Sequence, residues 1–351
     1  MIYIQPYYFW RGHYKIYTDS MFNKKDDILI CVDSKNTNKK NILVKKPYMG
    51  CHNRNILNFI ISRILNYISC ISLILQKSVK FKKKEIHFLE FEPFSFFLFL
   101  LLNLFLKKKF FLTIHSTGLI NKNNIFLFLI QRLFFFFVIT LLNFCNCKII
   151  VHKKQDYDRI RFFFKKSLYL LDYPSPKPNY IKKNYRGNLS MLVAGQVRKD
   201  KNYEKIIHKA IKDNFKITIA GSVMYNFNYW KKLHTIRKIT LINKFINKKN
   251  LEKLVAENDF ILLPYGKNYS GSAGPLKDSL SYGQPVICSN LKQFRSFLSK
   301  HKVGYLYTSN LKNRLGKMNS KEYNLMRKNC IVYSRENNFE NFRSKHSKIY
   351  N

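Results

Sequence analysis

The sequence predicts an α/β protein of two similar domains with a ligand cleft between them. Short apolar runs alternate with helical patterns along most of the chain, which is typical of parallel sheets covered by helices. Residues 172–187 interrupt this alternation with three prolines among polar residues and are typical of a linker. At residues 261–290 a glycine-rich loop joins a buried strand to a helix, which is the arrangement of a phosphate-binding crevice.

In the first domain, predicted to span residues 1–172, strands and helices follow one another along the chain. Apolar runs predict strands at 1–5, 28–32, 85–89, 110–114 and 148–151. Apolar residues at helical spacing predict helices at 14–22, 55–76, 94–106 and 125–144. Elements in this order predict a parallel sheet.

The alternation restarts after a linker at 173–187, in a second domain predicted to span 188–330. Strands are predicted at 190–194, 216–220, 239–242, 261–263 and 284–287. Helices are predicted at 203–212, 251–256 and 276–282. Residues 331–351 are predicted to form a helical tail that packs back on the first domain.

The chain is strongly basic, with 63 Lys+Arg against 20 Asp+Glu and a formal net charge of +43. Such a field attracts polyanions, meaning nucleic acid, anionic lipid headgroups or phosphorylated substrates. The lysines are scattered along the sequence and are not confined to one basic arm. The charge therefore supports an anionic partner without naming it.

Cysteine usage and apolar segments indicate a cytoplasmic protein on the inner face of the plasma membrane. The seven cysteines form no CxxC pair, and the N-terminus lacks the pattern of a signal peptide. The apolar run 94–106 is shorter than a membrane span, and Arg132 lies near the middle of 125–144. Phe-rich helices beside lysines are typical of a protein resting on an anionic membrane, so peripheral attachment is predicted.

Two loops of the second domain have residues suited to phosphate. The strand at 190–194 ends in Gly195 and is followed by Arg198, a planar fork for phosphate oxygens, and Lys201, a point charge. Residues 271–274 precede a helix whose first turn contains Pro275, so their backbone N–H groups are predicted to face a diphosphate. The alternatives are a solvated basic loop and glycines that only make turns.

These two loops resemble a known family. Gly195-Gln-Val-Arg-Lys-Asp-Lys-Asn202 resembles the Gly-x-(Ile/Leu)-Arg-x-x-Lys-Gly loop of GT-B glycosyltransferases of the bacterial family 4-like group. Residues 270–287 resemble that group's donor loop, Glu-Gly-x-Gly-x-x-x-x-Glu-Ala-x-x-x-Gly-x-Pro-Val-Ile. Ser270 stands in place of the first glutamate and Asp278 in place of the second. The resemblance implies the GT-B fold, two Rossmann-like domains facing a central cleft.

In this family the second domain holds a nucleotide-diphosphate sugar, and the resemblance carries that role to matching positions here. Arg198 and Lys201 are predicted to be catalytic, because charge develops on the leaving diphosphate. The carboxylate of Asp278 is predicted to accept hydrogen bonds from the ribose hydroxyls. The predicted donor-binding residues are Gly195, Ser270, Gly271, Ser272, Ala273, Gly274 and Asp278.

The first domain matches the family more loosely and is predicted to bind the acceptor. His115, at the end of the predicted strand 110–114, is the third predicted catalytic residue; the alternative is a histidine that caps the strand through backbone hydrogen bonds. His87, inside an apolar strand, is interpreted as a core residue. The acceptor-side candidates are Gly12, His13, Glu90 and Glu92.

The resemblance implies a retaining, hexosyltransferase-like enzyme of bacterial surface polysaccharide synthesis, such as O-antigen or capsule. The acceptor would be a polyprenyl-diphosphate-linked or other glycan. No cofactor is expected beyond the nucleotide sugar, which is a substrate, and no Asp-x-Asp motif stands near the donor loops, so no metal is expected. The alternatives are a nucleotide-sugar epimerase or hydrolase of the same fold, and a nucleic-acid-binding protein. The latter ranks low because the Phe runs are contiguous rather than interleaved with Lys and Arg, so no specific nucleic acid is expected.

Overall fold

The computed structural model divides the chain into two compact units. Unit 1 comprises Met1–Tyr173 and Phe342–Asn351, and unit 2 comprises Pro174–Asn341. The structure describes residues 1–350 except for 9–12, 23–25, 33–41, 46–55, 78–83, 116–124, 182–184, 186, 188, 202, 234, 237, 268 and 270–273.

Unit 1 is built on a seven-stranded sheet with the order β3-β2-β1-β4-β5-β6-β7, and all its strand pairs are parallel. Its strands are β1 Ile2–Ile4, β2 Ile28–Val32, β3 Ile42–Lys45, β4 Ile86–Phe88, β5 Phe110–Ile114, β6 Cys147–Val151 and β7 Leu168–Leu170. The central strands β1, β4 and β5 are buried along their whole length, and they are apolar except for His87 and Thr113, as expected for a sheet covered by helices on both faces.

Five helices of the N-terminal part cover this sheet. They are α1 His13–Met21, α2 Ile56–Gln76, α3 Pro93–Leu106, α4 Ile125–Leu141 and α5 Lys154–Phe163. Phe96 and Phe99 of α3 meet Phe88 of β4 with ring centroids 4.9 and 4.6 Å apart, so one face of the sheet has an aromatic core. Tyr17 of α1 lies in a separate buried cluster with Leu29 of β2.

Unit 2 repeats this architecture with a six-stranded parallel sheet of order β10-β9-β8-β11-β12-β13. Its strands are β8 Ser190–Ala194, β9 Lys216–Ala220, β10 Ile239–Ile242, β11 Phe260–Leu263, β12 Val286–Cys288 and β13 Gly304–Leu306. Its helices are α6 Glu204–Lys212, α7 Phe227–Leu233, α8 Lys248–Glu257, α9 Gly274–Ser281, α10 Lys292–His301, α11 Leu311–Gly316 and α12 Ser320–Glu336.

The last helix, α13 Phe339–Tyr350, brings the chain back to unit 1. Phe342 lies 5.6 Å from the ring of Tyr17, and Tyr350 lies 4.8 Å from the ring of Phe111. Within the stretch assigned to a linker, residues 174–181 pack on unit 2, where the amide of Asn179 donates to the carbonyl of Ser281 over 2.8 Å.

Several elements differ from those predicted. The strands β3, β7 and β13 and the helices α5, α7 and α10 were not predicted. These strands are only four or three residues long, and charged residues occupy five of the ten positions of α5. The helix predicted at 125–144 ends at Leu141, and a 3-10 turn at Leu142–Phe144 follows it. No helix in the described part of the chain has both the length and the apolar character of a membrane span.

Candidate functional site

The loop after β8 begins with Gly195, which lies against Gly221 at the end of the neighbouring strand β9. Gly195 has φ +105, and its amide donates to the carbonyl of Ala220 over 2.9 Å. Gly221, which follows β9, has φ +150, and a Cβ there would lie 2.1 Å from the carbonyl oxygen of Gly195. Both positions therefore favour glycine, one for its conformation and the other also for lack of space.

Lys201 fixes the shape of this loop from within. Its side chain is buried, and its Nζ donates to the carbonyl of Gln196 over 2.8 Å. The ammonium lies over the rings of Tyr203 and Tyr265, 5.4 and 5.7 Å from their centroids. The carbonyl of Lys201 accepts from the amide of Gly266 over 2.7 Å, so the loop after β8 is tied to the loop after β11.

The same loop lies beside the first turn of α9. A Cβ at Gly195 would be 3.8 Å from Pro275 Cγ and 4.0 Å from Lys201 Nζ. A Cβ at Gly274 would meet none of the described residues within 4 Å. Proline is tolerated at this position because the first N–H groups of a helix have no partner within it. The structure thus brings Gly195, Lys201 and the positive end of a helix dipole together.

Asp278 lies one turn further along α9. Burial raises the pKa of its carboxyl group to about 6, and the carboxylate makes no side-chain hydrogen bond with any residue that the structure describes. Lys277 is directed elsewhere, since its ammonium contacts the hydroxyl of Tyr333 on α12. Asp278 is therefore a desolvated carboxyl group that retains hydrogen-bonding capacity.

The remaining predicted donor residues divide into two groups. Arg198 is exposed on the loop between Val197 and the 3-10 turn Lys199–Lys201. Ser270, Gly271, Ser272 and Ala273 lie outside the described residues, so their predicted role stays a prediction. Sequence reasoning missed Gly221, whose only signal is a glycine directly after a strand, and the stacked rings of Tyr265 and Tyr269, 4.0 Å apart.

In unit 1, the two predicted acidic residues after β4 have different surroundings. Glu92 caps α3, because its carboxylate accepts from the amide of Ser95 over 2.7 Å and from the hydroxyl of the same residue over 2.6 Å. Glu90 is half-buried, with Oε1 3.3 Å from Arg63 Nη2 and Oε2 3.9 Å from His115 Nε2. The carboxylate of Glu92 is thus engaged within the fold, while Glu90 and His115 lie together.

His115 belongs to a buried aromatic cluster at the ends of β5 and β6. Its Nε2 donates to the carbonyl of Leu89 over 2.9 Å, which is the backbone contact considered as an alternative to a ligand contact. Its ring centroid lies 4.8 Å from that of Tyr17 and 5.0 Å from that of His152. Burial lowers the pKa of His115 to about 4, so the ring is neutral at pH 7.

The other predicted residues of unit 1 are described in part or not at all. Gly12 lies outside the described residues, and His13 begins α1 with a side chain that is not described. His87 is a core residue, since its ring nitrogens lie 2.7 Å from the hydroxyl of Tyr350 and 2.9 Å from that of Thr113. No group of three or more His, Cys, Asp and Glu side chains among the described residues has the arrangement of a metal site.

Comparisons of sequence find no relative: no family model matches the chain, and no curated protein matches it. Comparison of structures finds several. The sucrose-phosphate synthase of Thermosynechococcus elongatus is similar over 99% of this chain and 97% of its own, with TM-score 0.71 and 12% identity. Anabaena HepE, solved in complex with UDP, is similar over 99% and 98%, with TM-score 0.65 and 8% identity. WaaG, a glycosyltransferase involved in lipopolysaccharide biosynthesis, is similar over 99% and 98%, with TM-score 0.63 and 10% identity.

At these identities the likeness establishes the fold. The neighbours are GT-B glycosyltransferases, and their length is covered almost completely. Each unit of this chain has the parallel, doubly wound sheet of a Rossmann-like domain. The chain therefore has the GT-B fold that its two loop motifs predicted.

Proposed function

We propose that the chain is a glycosyltransferase that takes a sugar from a nucleotide-diphosphate donor held by unit 2. The observation that carries this proposal is the position of Lys201 Nζ, within 4.0 Å of a Cβ at Gly195 and next to the first turn of α9. A buried cation, a glycine without a side chain and a helix N-terminus are the groups that a diphosphate needs. Two of the structural neighbours support the donor class: HepE was solved with UDP, and trehalose-6-phosphate synthase from E. coli was solved with UDP-2-fluoro glucose.

The proposed chemistry is displacement of the nucleoside diphosphate from the anomeric carbon by an acceptor hydroxyl. Negative charge grows on the leaving diphosphate as its bond to the sugar breaks, so fixed positive groups stabilise the transition state more than the bound donor. Lys201 is held in place by Gln196 and two aromatic rings, and its charge needs no reorganisation. Arg198, exposed on the same loop, supplies a second cation as the donor binds.

Asp278 is proposed to bind the ribose of the nucleotide. Its desolvated carboxyl group accepts hydrogen bonds from two hydroxyls, which would restore in the complex the bonds that burial removed. Donor binding would then favour the ionised form and draw the pKa of Asp278 below its value of about 6 in the free protein.

Unit 1 is proposed to bind the acceptor, a polyprenyl-diphosphate-linked or other glycan of O-antigen or capsule synthesis. The half-buried Glu90 and the neutral His115 are the polar groups at the carboxyl edge of its sheet that would contact it. We also propose that a hexose is transferred with retention of configuration and without a metal ion, as the loop motifs imply. One neighbour, WaaG, acts in lipopolysaccharide biosynthesis, which supports this class of acceptor.

A thermal-shift titration with UDP, GDP and the other nucleoside diphosphates tests the donor site. At least one is expected to raise Tm, and Lys201→Ala is expected to weaken its binding tenfold to about a hundredfold, the effect of losing a charge-assisted hydrogen bond of about 1.5–3 kcal/mol. Lys199→Ala is the matched control, since Lys199 is exposed on the same 3-10 turn and is expected to leave binding within twofold.

The proposal fails if no nucleoside diphosphate stabilises the protein, or if Lys201→Ala and Arg198→Ala both bind as the unmodified chain does. Donor turnover separates the transferase from the other enzymes of this fold. Release of free sugar or an epimerised nucleotide sugar, at the same rate with and without glycan acceptors, would replace the transferase proposal by a hydrolase or epimerase.

A further inference from the structure

Unit 1 exposes a large apolar surface on two neighbouring helices, α3 and α4. Phe105 is 86% exposed and Leu133 is 71% exposed, unusual values for such side chains. The exposed apolar residues of the two helices are Leu98, Leu101, Leu104 and Phe105 of α3, and Leu129, Ile130, Leu133 and Phe137 of α4. We call this set the α3–α4 face.

The α3–α4 face is continuous. Leu98, Leu101 and Phe105 follow one another at i, i+3 and i+7, so they lie on one side of α3. Ile130, Leu133 and Phe137 do the same on α4. The two helices pack through Phe94 and Phe134, with ring centroids 4.5 Å apart, and through Phe97 and Phe137, 6.0 Å apart. The two exposed stripes are therefore adjacent.

The C-terminal ends of α3, α4 and α5 add two further exposed rings, Phe144 and Phe162. Hydrogen bonds hold these ends together: the amide of Phe110 donates to the carbonyl of Asn146 over 3.2 Å, and the amide of Lys165 donates to Asn143 Oδ1 over 2.8 Å. The apolar surface thus extends from the outer side of the helices to their ends.

The helices α3 and α4 and the segments that follow them carry charges of one sign. No Asp or Glu occurs in the sequence between Glu92 and Asp156, a stretch that contains α3, α4 and the 3-10 turn after it. Three exposed lysines lie at the helix ends, namely Lys107, Lys165 and Lys166. Lys107 ends α3 in the left-handed conformation, and Lys165 Nζ lies 5.7 Å from the ring centroid of the exposed Phe162.

We propose that the α3–α4 face and its lysine rim dock on an anionic phospholipid bilayer. The Leu and Phe side chains would enter the boundary between headgroups and acyl chains, where apolar surface is removed from water. The lysines would extend to the lipid phosphates and add electrostatic attraction. A protein partner covering the same area would need a largely apolar surface surrounded by acidic side chains. An anionic bilayer has an apolar interior and negatively charged headgroups over its whole surface.

The surface belongs to unit 1 and the two predicted donor loops belong to unit 2. The test needs neither nucleotide nor acceptor. The chain is sedimented with vesicles of phosphatidylcholine containing phosphatidylglycerol, and with vesicles of phosphatidylcholine alone. Binding is expected to the anionic vesicles and to weaken as salt is raised. Leu104→Glu with Phe105→Glu is expected to lower the partition coefficient at least tenfold, and Lys165→Glu with Lys166→Glu about tenfold.

The matched control is Phe245→Glu, an exposed phenylalanine of unit 2 that is expected to leave vesicle binding within twofold. All variants change exposed side chains, and unchanged circular dichroism confirms that they fold. The proposal is overturned if anionic vesicles do not bind the chain, or if Phe245→Glu impairs binding as much as the change at Leu104 and Phe105.

Insertion is measured separately with Phe105→Trp and Phe245→Trp and lipids brominated along the acyl chains. Quenching is expected for the tryptophan at 105 and not for that at 245. The bilayer proposal would be overturned if neither tryptophan were quenched. It would also be overturned if changing Leu104 and Phe105 lowered the molecular mass in solution while vesicle binding persisted. The second result would assign the α3–α4 face to contact between copies of the chain.

Discussion

The two units share one topology but have different side chains at the same edge of the sheet. In each, the strand order reverses beside the first strand, β1 in unit 1 and β8 in unit 2. At the carboxyl edge of unit 1, aromatic rings and neutral histidines such as Tyr17 and His115 lie beside the carboxylate of Glu90. At the same edge of unit 2 lie Lys201 and the desolvated Asp278. The doubly wound sheet supplies an edge, and the loop residues decide what it binds.

The outer helices differ as well. The helices α3 and α4 contain one charged residue between them, Arg132, whereas α6 of unit 2 carries Glu204 at its start and Lys209 and Lys212 at its end. A helix with charges on one side only has its apolar side on the sheet and the other in water. Helices that are apolar all round bury one side against the sheet and leave the other without a partner, as in the α3–α4 face.

The largest expected difference between the two units is the change in their stability as pH falls. Burial lowers the pKa of four histidines in unit 1: to about 3 for His87, to about 4 for His115, and well below the usual value for His152 and His346. Their neutral forms are favoured by folding, so unit 1 loses stability as pH falls below about 6.5, the unfolded value, by up to about 1.4 kcal/mol per pH unit for each histidine. Asp278 acts in the opposite sense, because its raised pKa lowers the stability of unit 2 at neutral pH. This loss of stability is complete above about pH 6 and disappears as pH falls from about 6 to about 4.

Hydrogen exchange followed by mass spectrometry between pH 7.5 and pH 4.5, corrected for the intrinsic rate, measures this difference. Protection is expected to fall in β4, β5 and β6 before it falls in β8, β9 and β11. His346→Leu is the informative variant, since both ring nitrogens of His346 are buried without a hydrogen-bond partner among the described residues. This variant is expected to lose protection in unit 1 less steeply as pH falls. Loss of protection in unit 2 before unit 1 would contradict the prediction.

Unit 2 depends on a buried charge where unit 1 depends on aromatic packing. Arg327 of α12 is buried, donates from Nε to the carbonyl of Gly283 over 3.1 Å and contacts the carbonyl of Ile181. Arg327→Leu leaves these carbonyls without their donor and is expected to destabilise unit 2 by about 3 kcal/mol. Arg335→Leu, at an exposed position of the same helix, is expected to change the free energy of unfolding by less than about 0.5 kcal/mol. Urea titration of both variants is the measurement, and equal effects would show that Arg327 has no structural role.

The glycines of the donor loops should differ among themselves. Gly221→Ala would place a Cβ 2.1 Å from the carbonyl oxygen of Gly195 at φ +150, so we expect a loss of more than about 1 kcal/mol and weaker nucleotide binding. The added Cβ of Gly274→Ala meets no atom of the described part of the chain within 4 Å, and this change is expected to leave stability within about 0.5 kcal/mol. Thermal unfolding with and without UDP measures both variants. A Gly221→Ala protein as stable as Gly274→Ala would mean that the two loops do not constrain each other.

The sequence predicted the bounds of several strands better than the contacts that their side chains make. The strands β2, β5, β8, β9 and β10 have the bounds that their apolar runs predicted. A buried parallel strand is apolar along its whole length, which is a local property of the sequence. The Gly195–Lys201 segment was likewise identified by a local motif, and the structure brings Gly195 and Lys201 to the start of α9.

By itself, then, the sequence determined the alternation of strands and helices and singled out the two loops that are predicted to bind the donor. The structure also showed that Glu92 caps α3, a local contact with Ser95 three residues away. Only the tertiary structure decided that His87 bonds to Tyr350 and that Gly221 packs against Gly195. In the last two cases the partners are 263 and 26 residues apart. Such contacts leave no periodic signal in the sequence, because they depend on which strands are neighbours and where α13 returns to the first sheet.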